Sequence, residues 1–264
     1  MTKGQKTMKK PMLLISSPNC GSDWLATTLC DSQKGINYSR EFFNPANNHK
    51  YCEILAKGFG CEYITCYQKI ADMNQDICEK IFKLTWEKEE YNFTKENYSC
   101  MKIPFFVKEF NCFALTRDVR DSLPAKRRTP VTSWYLSIYE SLILNKDSLP
   151  KKIVKKLELF SKLPTKMDEK VVFCFCLYQE LLIMICKHFH IPILDWKLIS
   201  SLEKSKLIQY LESSHGVIRT FAHLDLESWS DEIIKTKKER SHEFHTMDCD
   251  WIIEEFFDKK LITM

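Results

Sequence analysis

The sequence predicts an α/β fold in which strands alternate with helices. Three stretches carry this prediction, at residues 12–30, 110–122 and 191–211. In each of them an apolar strand pattern stops at polar or turn-forming residues, and a helical pattern follows. A chain of 264 residues is long enough to bury a sizeable core, and one α/β domain of this length is ordinary. We therefore expect a single domain over residues 11–264, preceded by a flexible basic tail over residues 1–10.

Composition is that of an ordinary globular protein. Hydrophobic residues make up 44% of the chain and charged residues 28%. The net charge of +4 gives no global argument for binding nucleic acid, so any basic site must be local. The 12 cysteines are scattered and form no Cys-x-x-Cys pair. This pattern favours buried free thiols over a disulfide framework or a structural zinc site, and we expect a cytoplasmic location.

The sequence has no stretch that reads as a membrane span or a signal peptide. Its first ten residues are basic and lack the apolar core of a signal peptide. The longest apolar run, Val171–Cys186, contains Gln179 and Glu180 and is shorter than the roughly 20 residues that cross a bilayer. We therefore expect no transmembrane segment, and the sequence does not determine the oligomeric state.

The first strand–loop–helix stretch predicts a site for an anion. An apolar run at residues 12–15 ends in Ser, Ser and Pro, and a helical pattern begins after Gly21. Such a loop directs backbone N–H groups and the positive end of the helix dipole to one point, which favours a phosphate or sulfate. Gly21 allows close backbone approach, and Ser17 and Ser22 add hydroxyl donors. No Gly-Lys-Ser/Thr follows, so the loop is not a Walker A loop, and an ordinary strand-to-helix turn remains the alternative.

This loop resembles the 5′-phosphosulfate loop of sulfotransferases, which typically reads Pro-Arg-Ser-Gly-Thr/Ser-Thr-Trp/Leu-Leu. Those enzymes use 3′-phosphoadenosine 5′-phosphosulfate (PAPS) as the sulfuryl donor. The donor-binding positions that the resemblance implies are Ser17, Pro18, Asn19, Cys20, Gly21, Ser22, Asp23 and Trp24. Asn19 stands where the family has a basic residue, whose charge would offset the charge that builds on the leaving oxygen.

The resemblance also implies a fold, a donor and a kind of acceptor. The fold is of the P-loop type, with three layers and a central, mainly parallel sheet flanked by helices. The donor co-substrate is PAPS, and the acceptor is a hydroxyl of a carbohydrate or small metabolite. No metal is implied, because positioning and fixed hydrogen-bond donors suffice for the transfer.

The segment at residues 35–45 supplies the predicted general base. Its aromatic pair and its Asn-Pro stop are typical of a short strand or loop. It resembles the Glu-Tyr/Phe-Phe-x-Pro motif of bacterial glycolipid sulfotransferases, the group that includes trehalose sulfotransferase. The resemblance implies that Glu41 accepts the proton of the acceptor hydroxyl, which a carboxylate near the site can do. A surface glutamate beside an aromatic anchor is the alternative.

Residues 46–100 are the least informative part of the chain. Partial helical patterns occur at residues 54–57, 76–83 and 88–98, and residues 100–103 predict a short strand. In the enzymes that the chain resembles, this region carries part of the acceptor pocket. The identity of the acceptor therefore cannot be read from the sequence.

The second strand end, at residues 110–117, predicts a further anion contact. Ligands of open parallel sheets lie beyond the carboxyl ends of strands, and both loops fall at such ends. The segment resembles the family's 3′-phosphate motif, Arg-Asn-Pro-Arg/Lys-Asp-x-x-x-Ser, and Arg117 matches the Arg that binds the phosphate. The final Ser of the motif is Ala125 here, and Ser122, one helical turn earlier, is the expected substitute. An Arg–Asp surface network at a helix N-terminus is the alternative.

The remaining chain is predicted to form helices around one last strand. The pattern predicts helices at residues 151–162, 168–188, 203–211 and 251–257 and a strand at residues 191–196. The resemblance implies a late basic loop over the 3′-phosphate, with Lys237, Lys238 and Arg240 as candidates. No carboxylate or cysteine pattern completes a metal site with His242 and His245.

These observations leave two main hypotheses for the function. The first is transfer of a sulfuryl group from PAPS to a hydroxyl. The second is a protein that keeps the fold and binds a nucleotide or anion without efficient transfer, because Asn19 and Ala125 remove two expected donor contacts. A P-loop kinase would need a phosphate-cradling Lys and a Mg²⁺ carboxylate, and neither is placed correctly. Only the basic run at residues 126–128 favours nucleic acid, and we expect no such partner.

Overall fold

The computed structural model describes residues 10–17, 20–31, 37–41, 86, 91–97, 102–122, 139, 142–143, 146–201 and 250–257. Within these ranges the strands are β1 (Met12–Ser16), β2 (Tyr38–Arg40), β3 (Phe93–Asn97), β4 (Asn111–Thr116) and β5 (Ile193–Asp195). The helices are α1 (Ser22–Asp31), α2 (Ile103–Glu109), α3 (Val119–Ser122), α4 (Lys151–Phe160), α5 (Met167–His188), α6 (Trp196–Ser201) and α7 (Asp250–Phe256).

The five described strands form one parallel sheet in the order β2-β3-β1-β4-β5. At the centre, Ser16 of β1 lies opposite Asn97 of β3 and Leu115 of β4. The chain leaves β1 towards β2 on one side and leaves β4 towards β5 on the other. The gap between the carboxyl ends of β1 and β4 is therefore the topological switch point, where open parallel sheets bind their ligands.

Both faces of the sheet are covered by helices. Successive side chains of β1 point to opposite faces. Met12 and Leu14 join a cluster on the α1 side, whereas Leu13 and Ile15 join a larger core built with α2, α4, α5 and α7. This arrangement confirms the predicted α/β fold with a parallel central sheet between helical layers. It is consistent with the P-loop-type fold that the resemblance implies.

Helix α5 is the central helix of the larger core. Its side chains are buried all round over residues 171–183, and Phe173 stacks on Phe160 of α4 with ring centroids 3.7 Å apart. Among the described residues, α5 is the one helix long and apolar enough to cross a membrane. Of the most apolar 18-residue stretch of α5, 78% is buried inside the protein, which is the pattern of a core helix.

The six cysteines in the described ranges are free thiols.

Two local predictions were wrong, both between the second strand and the fourth. The strand predicted at residues 100–103 is wrong at Lys102 and Ile103, where α2 begins with Pro104 in its first turn, and residues 100 and 101 lie outside the described residues. Proline favours that position because its φ is already helical and its missing N–H would have no partner there. The helical pattern predicted at residues 88–98 is wrong over residues 93–97, which form β3. Thr94, Lys95 and Glu96 are buried although they are polar, so β3 lacks the apolar alternation of a half-exposed strand.

Other predicted elements cannot be compared with the structure. The helices predicted at residues 54–57, 76–83 and 203–211 lie outside the described residues, as do residues 1–9 of the predicted tail.

A buried carboxylate holds α4 against α5. Glu180 is 1% exposed, Lys156 donates to its Oε2, and Nζ of Lys152 lies 2.8 Å from its Oε1. The ammonium of Lys156 also lies 4.4 Å from the ring centroid of Phe257, in a cation–π contact. Burial lowers the pKa of Lys156, and its contact with Glu180 opposes that shift. The pair thus compensates a charge that would be costly in the core.

We expect Lys156→Met to lower the free energy of unfolding by about 3 kcal/mol, because Glu180 would keep only the half-exposed Lys152 as a partner. The double variant Lys156→Met/Glu180→Leu should recover most of that loss, since apolar side chains replace a buried ion pair at little cost. Urea unfolding of the wild type and the two variants measures both effects. A double variant no more stable than Lys156→Met would contradict this account.

Candidate functional site

The turn that leads from β1 into α1 depends on a glycine. Gly21 has a φ of +91°, in the region that favours glycine, and its carbonyl accepts the N–H of Leu25 at 3.1 Å. A Cβ on Gly21 would lie 2.1 Å from Cζ3 of Trp196. The glycine is therefore required by its own backbone conformation and by the indole packed on it. Pro18 and Asn19 lie outside the described residues.

Cys20 faces the interior at the start of this turn. Its side chain is completely buried. Burial raises the pKa of the thiol, and hydrogen bonds with Ser16 and with the backbone and hydroxyl of Ser22 only partly offset the shift. A buried, neutral thiol is chemically inert. Cys20 therefore contributes to the turn by packing its side chain in the interior, and not by reacting.

Trp196 is placed in this site by the end of β5. Asp195 lies opposite Thr116 in the parallel ladder, so the residues that follow, Trp196 and Arg117, are neighbours. Oδ1 of Asp195 accepts the N–H of Lys197 at 2.9 Å and so starts α6. Burial raises the pKa of Asp195, and its contacts with Lys197 oppose the shift.

Arg117 lies against the same indole as the turn. Its Cζ is 5.7 Å from the ring centroid of Trp196, and Trp24 of α1 meets Trp196 edge to face with centroids 5.6 Å apart. Burial lowers the pKa of Arg117, and charge interactions with the carboxylates of Asp121 and Asp118 oppose the shift. An arginine stays charged in proteins, so a cation stands beside the turn. The two strand ends that the sequence singles out therefore meet on one face of the molecule.

Gln179 of α5 joins these two strand ends from the opposite layer. Its Oε1 accepts a hydrogen bond from the Ser17 hydroxyl at 3.0 Å, and its Nε2 donates to the Arg117 carbonyl at 2.8 Å. Because a carbonyl can only accept, the amide nitrogen must face Arg117 and the amide oxygen must face Ser17. The hydroxyl hydrogen of Ser17 is thus directed to Gln179.

Glu41 lies directly after β2 and is tied to both β3 and β1. It adopts a φ of +48°, and its N–H donates to the Lys95 carbonyl at 2.8 Å. Its Oε1 accepts hydrogen bonds from Lys95 Nζ at 2.6 Å and from Asn97 Nδ2 at 2.8 Å. Asn97 in turn accepts the Ser16 hydroxyl at 2.6 Å, at the end of β1.

Lys95 is a fully buried cation with two acidic partners. Its Nζ lies 2.6 Å from Glu41 and 2.9 Å from Oδ1 of Asp23. Arg40 donates two parallel hydrogen bonds to the same Asp23, from Nε to Oδ1 at 3.1 Å and from Nη2 to Oδ2 at 3.2 Å. Burial would raise the pKa of Asp23, but Lys95 and Arg40 outweigh it and hold the pKa below its ordinary value. Two cations and two carboxylates therefore balance one another beside the N-terminus of α1.

The start of α3, after Arg117, is held by hydrogen bonds within the protein. Oδ1 of Asp118 accepts the N–H of Arg120 at 2.8 Å, and the Ser122 hydroxyl donates to the Asp118 carbonyl at 3.0 Å. Nε of Arg120 donates to Asp250 of α7 at 3.1 Å. The Ser122 hydroxyl is therefore directed to the backbone of its own helix. Of the two arginines here, Arg117 is the one that lies against Trp196.

The structure thus brings together most of the predicted site residues that it describes. Around the indole and the Gln179 amide lie Ser17, Cys20, Gly21, Trp24 and Arg117, Ser22 is hydrogen-bonded to Cys20, and Asp23 and Glu41 meet at Lys95. Lys237, Lys238 and Arg240 lie outside the described residues. Within the described ranges no group of three or more metal-ligating side chains occurs.

Sequence reasoning missed four residues of this site: Lys95, Asn97, Gln179 and Trp196. Lys95 and Asn97 lie in β3, which the sequence pattern assigned to a helix. The sequence could have indicated Gln179, because a polar residue inside a buried apolar helix must have a hydrogen-bond partner. Trp196 is the last residue of the strand predicted at residues 191–196, and the rule that places ligands at strand ends applies to it as well.

No protein-family model and no curated protein matches the chain. Among solved structures, a sulfotransferase domain from the curacin biosynthetic pathway matches with a TM-score of 0.44 and 9% sequence identity. The match covers 95% of this chain and 99% of that domain. The candidate site rests on the contacts described above and not on this match.

We expect Gly21→Ala to lower the free energy of unfolding by about 3 kcal/mol. A positive φ costs an alanine about 1–2 kcal/mol, and overpacking against Trp196 adds about 1–3 kcal/mol. Urea unfolding measures the loss, and Gly21→Ala should cost less stability in the Trp196→Leu background, where the overpacking part is removed. A loss below about 1 kcal/mol would contradict the close contact between the turn and the indole.

The contribution of Asp23 to stability is expected to depend on pH. Its pKa in the folded protein lies below the ordinary value, so the carboxylate stabilises the fold above that ordinary value. The contribution is then lost as the pH falls through the folded pKa. Unfolding free energies of the wild type and Asp23→Asn should differ at about pH 6 and converge towards about pH 2.5. A difference that stays constant over this range would contradict the ion pairing.

Proposed function

We propose that the protein is a sulfotransferase that moves a sulfuryl group from PAPS to a hydroxyl of a carbohydrate or small metabolite. The observation that carries this proposal is the meeting of the turn at Gly21 with the guanidinium of Arg117 at the switch point of the sheet. Two strand ends that are distant in the sequence then face a ligand with an anionic group at each end. A nucleotide with phosphates at its 3′ and 5′ positions is such a ligand.

The chemistry of the described residues suits this donor. Phosphates prefer the fork of a guanidinium and the N–H groups at a helix N-terminus, which Arg117 and α1 supply. Asp23 in the first turn of α1 would repel an anion, but Lys95 and Arg40 neutralise it. When bound, PAPS would supply an activated sulfuryl group, whose sulfur bonds to the acceptor oxygen as its bond to the phosphate oxygen breaks.

Glu41 is the residue to which we assign the proton of the acceptor hydroxyl. Lys95 and Asn97 fix its carboxylate through Oε1. Once Glu41 is protonated, Lys95 still faces the charged Asp23, so the buried ammonium keeps an acidic partner. The local charge becomes more positive by one unit, which favours the negative charge that grows on the leaving phosphate.

Binding of the nucleotide without efficient transfer is the second candidate. Lys95 and Asn97 already engage Oε1 of Glu41, and Asn19 stands where the resembling family has a cation. In that case Glu41 serves as a partner of the buried Lys95 and stabilises the fold.

Titration with adenosine 3′,5′-bisphosphate, the desulfated donor, tests both candidates. We expect this ligand to raise the melting temperature of the wild type. Arg117→Met should weaken binding about tenfold or more, because a hydrogen bond to a charged group contributes about 1.5–3 kcal/mol. Lys108→Met removes an exposed charge on α2 and is the control, which should bind as the wild type does. No stabilisation at millimolar ligand would reject both candidates.

Transfer of labelled sulfate from PAPS to a panel of sugars and small hydroxyl compounds separates the two candidates. Glu41→Gln keeps an oxygen that can accept from Lys95, so we expect it to fold and to bind the bisphosphate. Its transfer rate should fall about 100-fold or more, which is the usual contribution of a general base. Binding by the wild type without transfer to any acceptor would favour the second candidate.

A further inference from the structure

We infer that Gln179 is a positioning residue that fixes the spacing between the two strand ends and thereby favours ligands with anionic groups at both ends. The inference rests on the proposed function for its ligand. Its geometry comes from the hydrogen bonds that Gln179 makes to Ser17 and to Arg117.

Gln179 connects the two loops where the sheet no longer does. The described register of β1 and β4 ends with Ser16 opposite Leu115. Ser17 and Arg117 lie beyond that pair, and one planar amide group bonds to both of them. A movement of either loop therefore strains the bond to the other. Hydrogen bonds that share one amide also polarise each other, which strengthens the link.

Helix α5 gives Gln179 a fixed position. Gln179 is 1% exposed and lies within the part of α5 that is buried all round. The next residue, Glu180, is held by Lys156 and Lys152 of α4. A supporting residue on a packed helix holds a binding geometry more accurately than a residue on a loop does.

The surroundings of Gln179 on its own helix do not explain an amide at this position. Residues 171–178 and 181–183 of α5 are buried and apolar, apart from the hydroxyl of Tyr178 and the thiols of Cys174 and Cys176. Burying an amide among them is costly unless the amide is hydrogen-bonded. The amide is accounted for by what it bonds to, which is one group on each of the two loops.

The spacing matters only to a ligand that uses both strand ends. Adenosine 5′-phosphate has one anionic group and would bind at one strand end. Adenosine 3′,5′-bisphosphate would need both ends at a set separation, and it gains affinity when that separation is fixed in advance. The ratio of the two dissociation constants therefore measures the positioning.

The test compares Gln179→Leu with the matched control Ile183→Val. Ile183 lies one helical turn from Gln179 on the same buried helix, and its loss of one methylene breaks no hydrogen bond. Calorimetric titration is expected to show about tenfold weaker binding of the bisphosphate to Gln179→Leu, with adenosine 5′-phosphate changed less than about threefold. The control should bind both nucleotides as the wild type does.

The outcomes separate this inference from the proposed function. Equal losses of affinity for both nucleotides in Gln179→Leu would overturn the positioning role and leave the proposed function standing. If the wild type binds neither nucleotide, the proposed function fails. Hydrogen exchange of the ligand-free protein then tests whether Gln179 links the loops after β1 and β4. The exchange rates of the backbone amides should rise in both loops of Gln179→Leu and in neither loop of Ile183→Val. Unchanged exchange in Gln179→Leu would overturn the inference too.

Discussion

The burial of the Lys95 ammonium is the constraint on which the carboxyl end of the sheet depends. An ammonium with no exposed surface must be neutralised inside the protein. Its two partners come from different elements, Asp23 from the first turn of α1 and Glu41 from the residue after β2. The ion pairs therefore fix the helix and the second strand relative to β3. The same contacts place Glu41, to which we assign the proton, and neutralise Asp23, which would repel an anion.

Two polar networks begin at consecutive residues of β1. Ser16 points to the α1 face and bonds to Asn97, which continues to Glu41. Ser17 points to the α5 face and bonds to Gln179, which continues to Arg117. Strand geometry sends neighbouring side chains to opposite faces, so two serines in a row can serve both layers. The groups assigned to proton transfer and to phosphate binding are thus linked through a single strand end.

The sequence predicted the parts of the fold whose side chains have one clear environment. β1, β4 and α5 are apolar, and β1 and β4 end at turn-forming or polar residues, so the length of each apolar run and the residues that end it were enough. β3 was not predicted because the burial of its Lys95 depends on ion pairs with residues that are distant along the chain. The periodicity of a segment gives no information about such partners. In the site, Arg117 was predicted from the resemblance of its segment to the 3′-phosphate motif and from its place at a strand end. The approach of an anion to Gly21 stays a prediction, and the structure adds a positive φ and the Trp196 ring as reasons for a glycine there.

The paired serines also limit how the chain length can change near the site. An insertion or deletion of one residue within β1 would reverse the direction of every side chain that follows in the strand. Ser16 and Ser17 would then exchange faces, and each hydroxyl would meet the neighbour of the other. The number of residues in β1 is therefore more tightly constrained than the identity of either serine. Replacing one serine alters one hydrogen-bond network, whereas adding or removing a residue disconnects both.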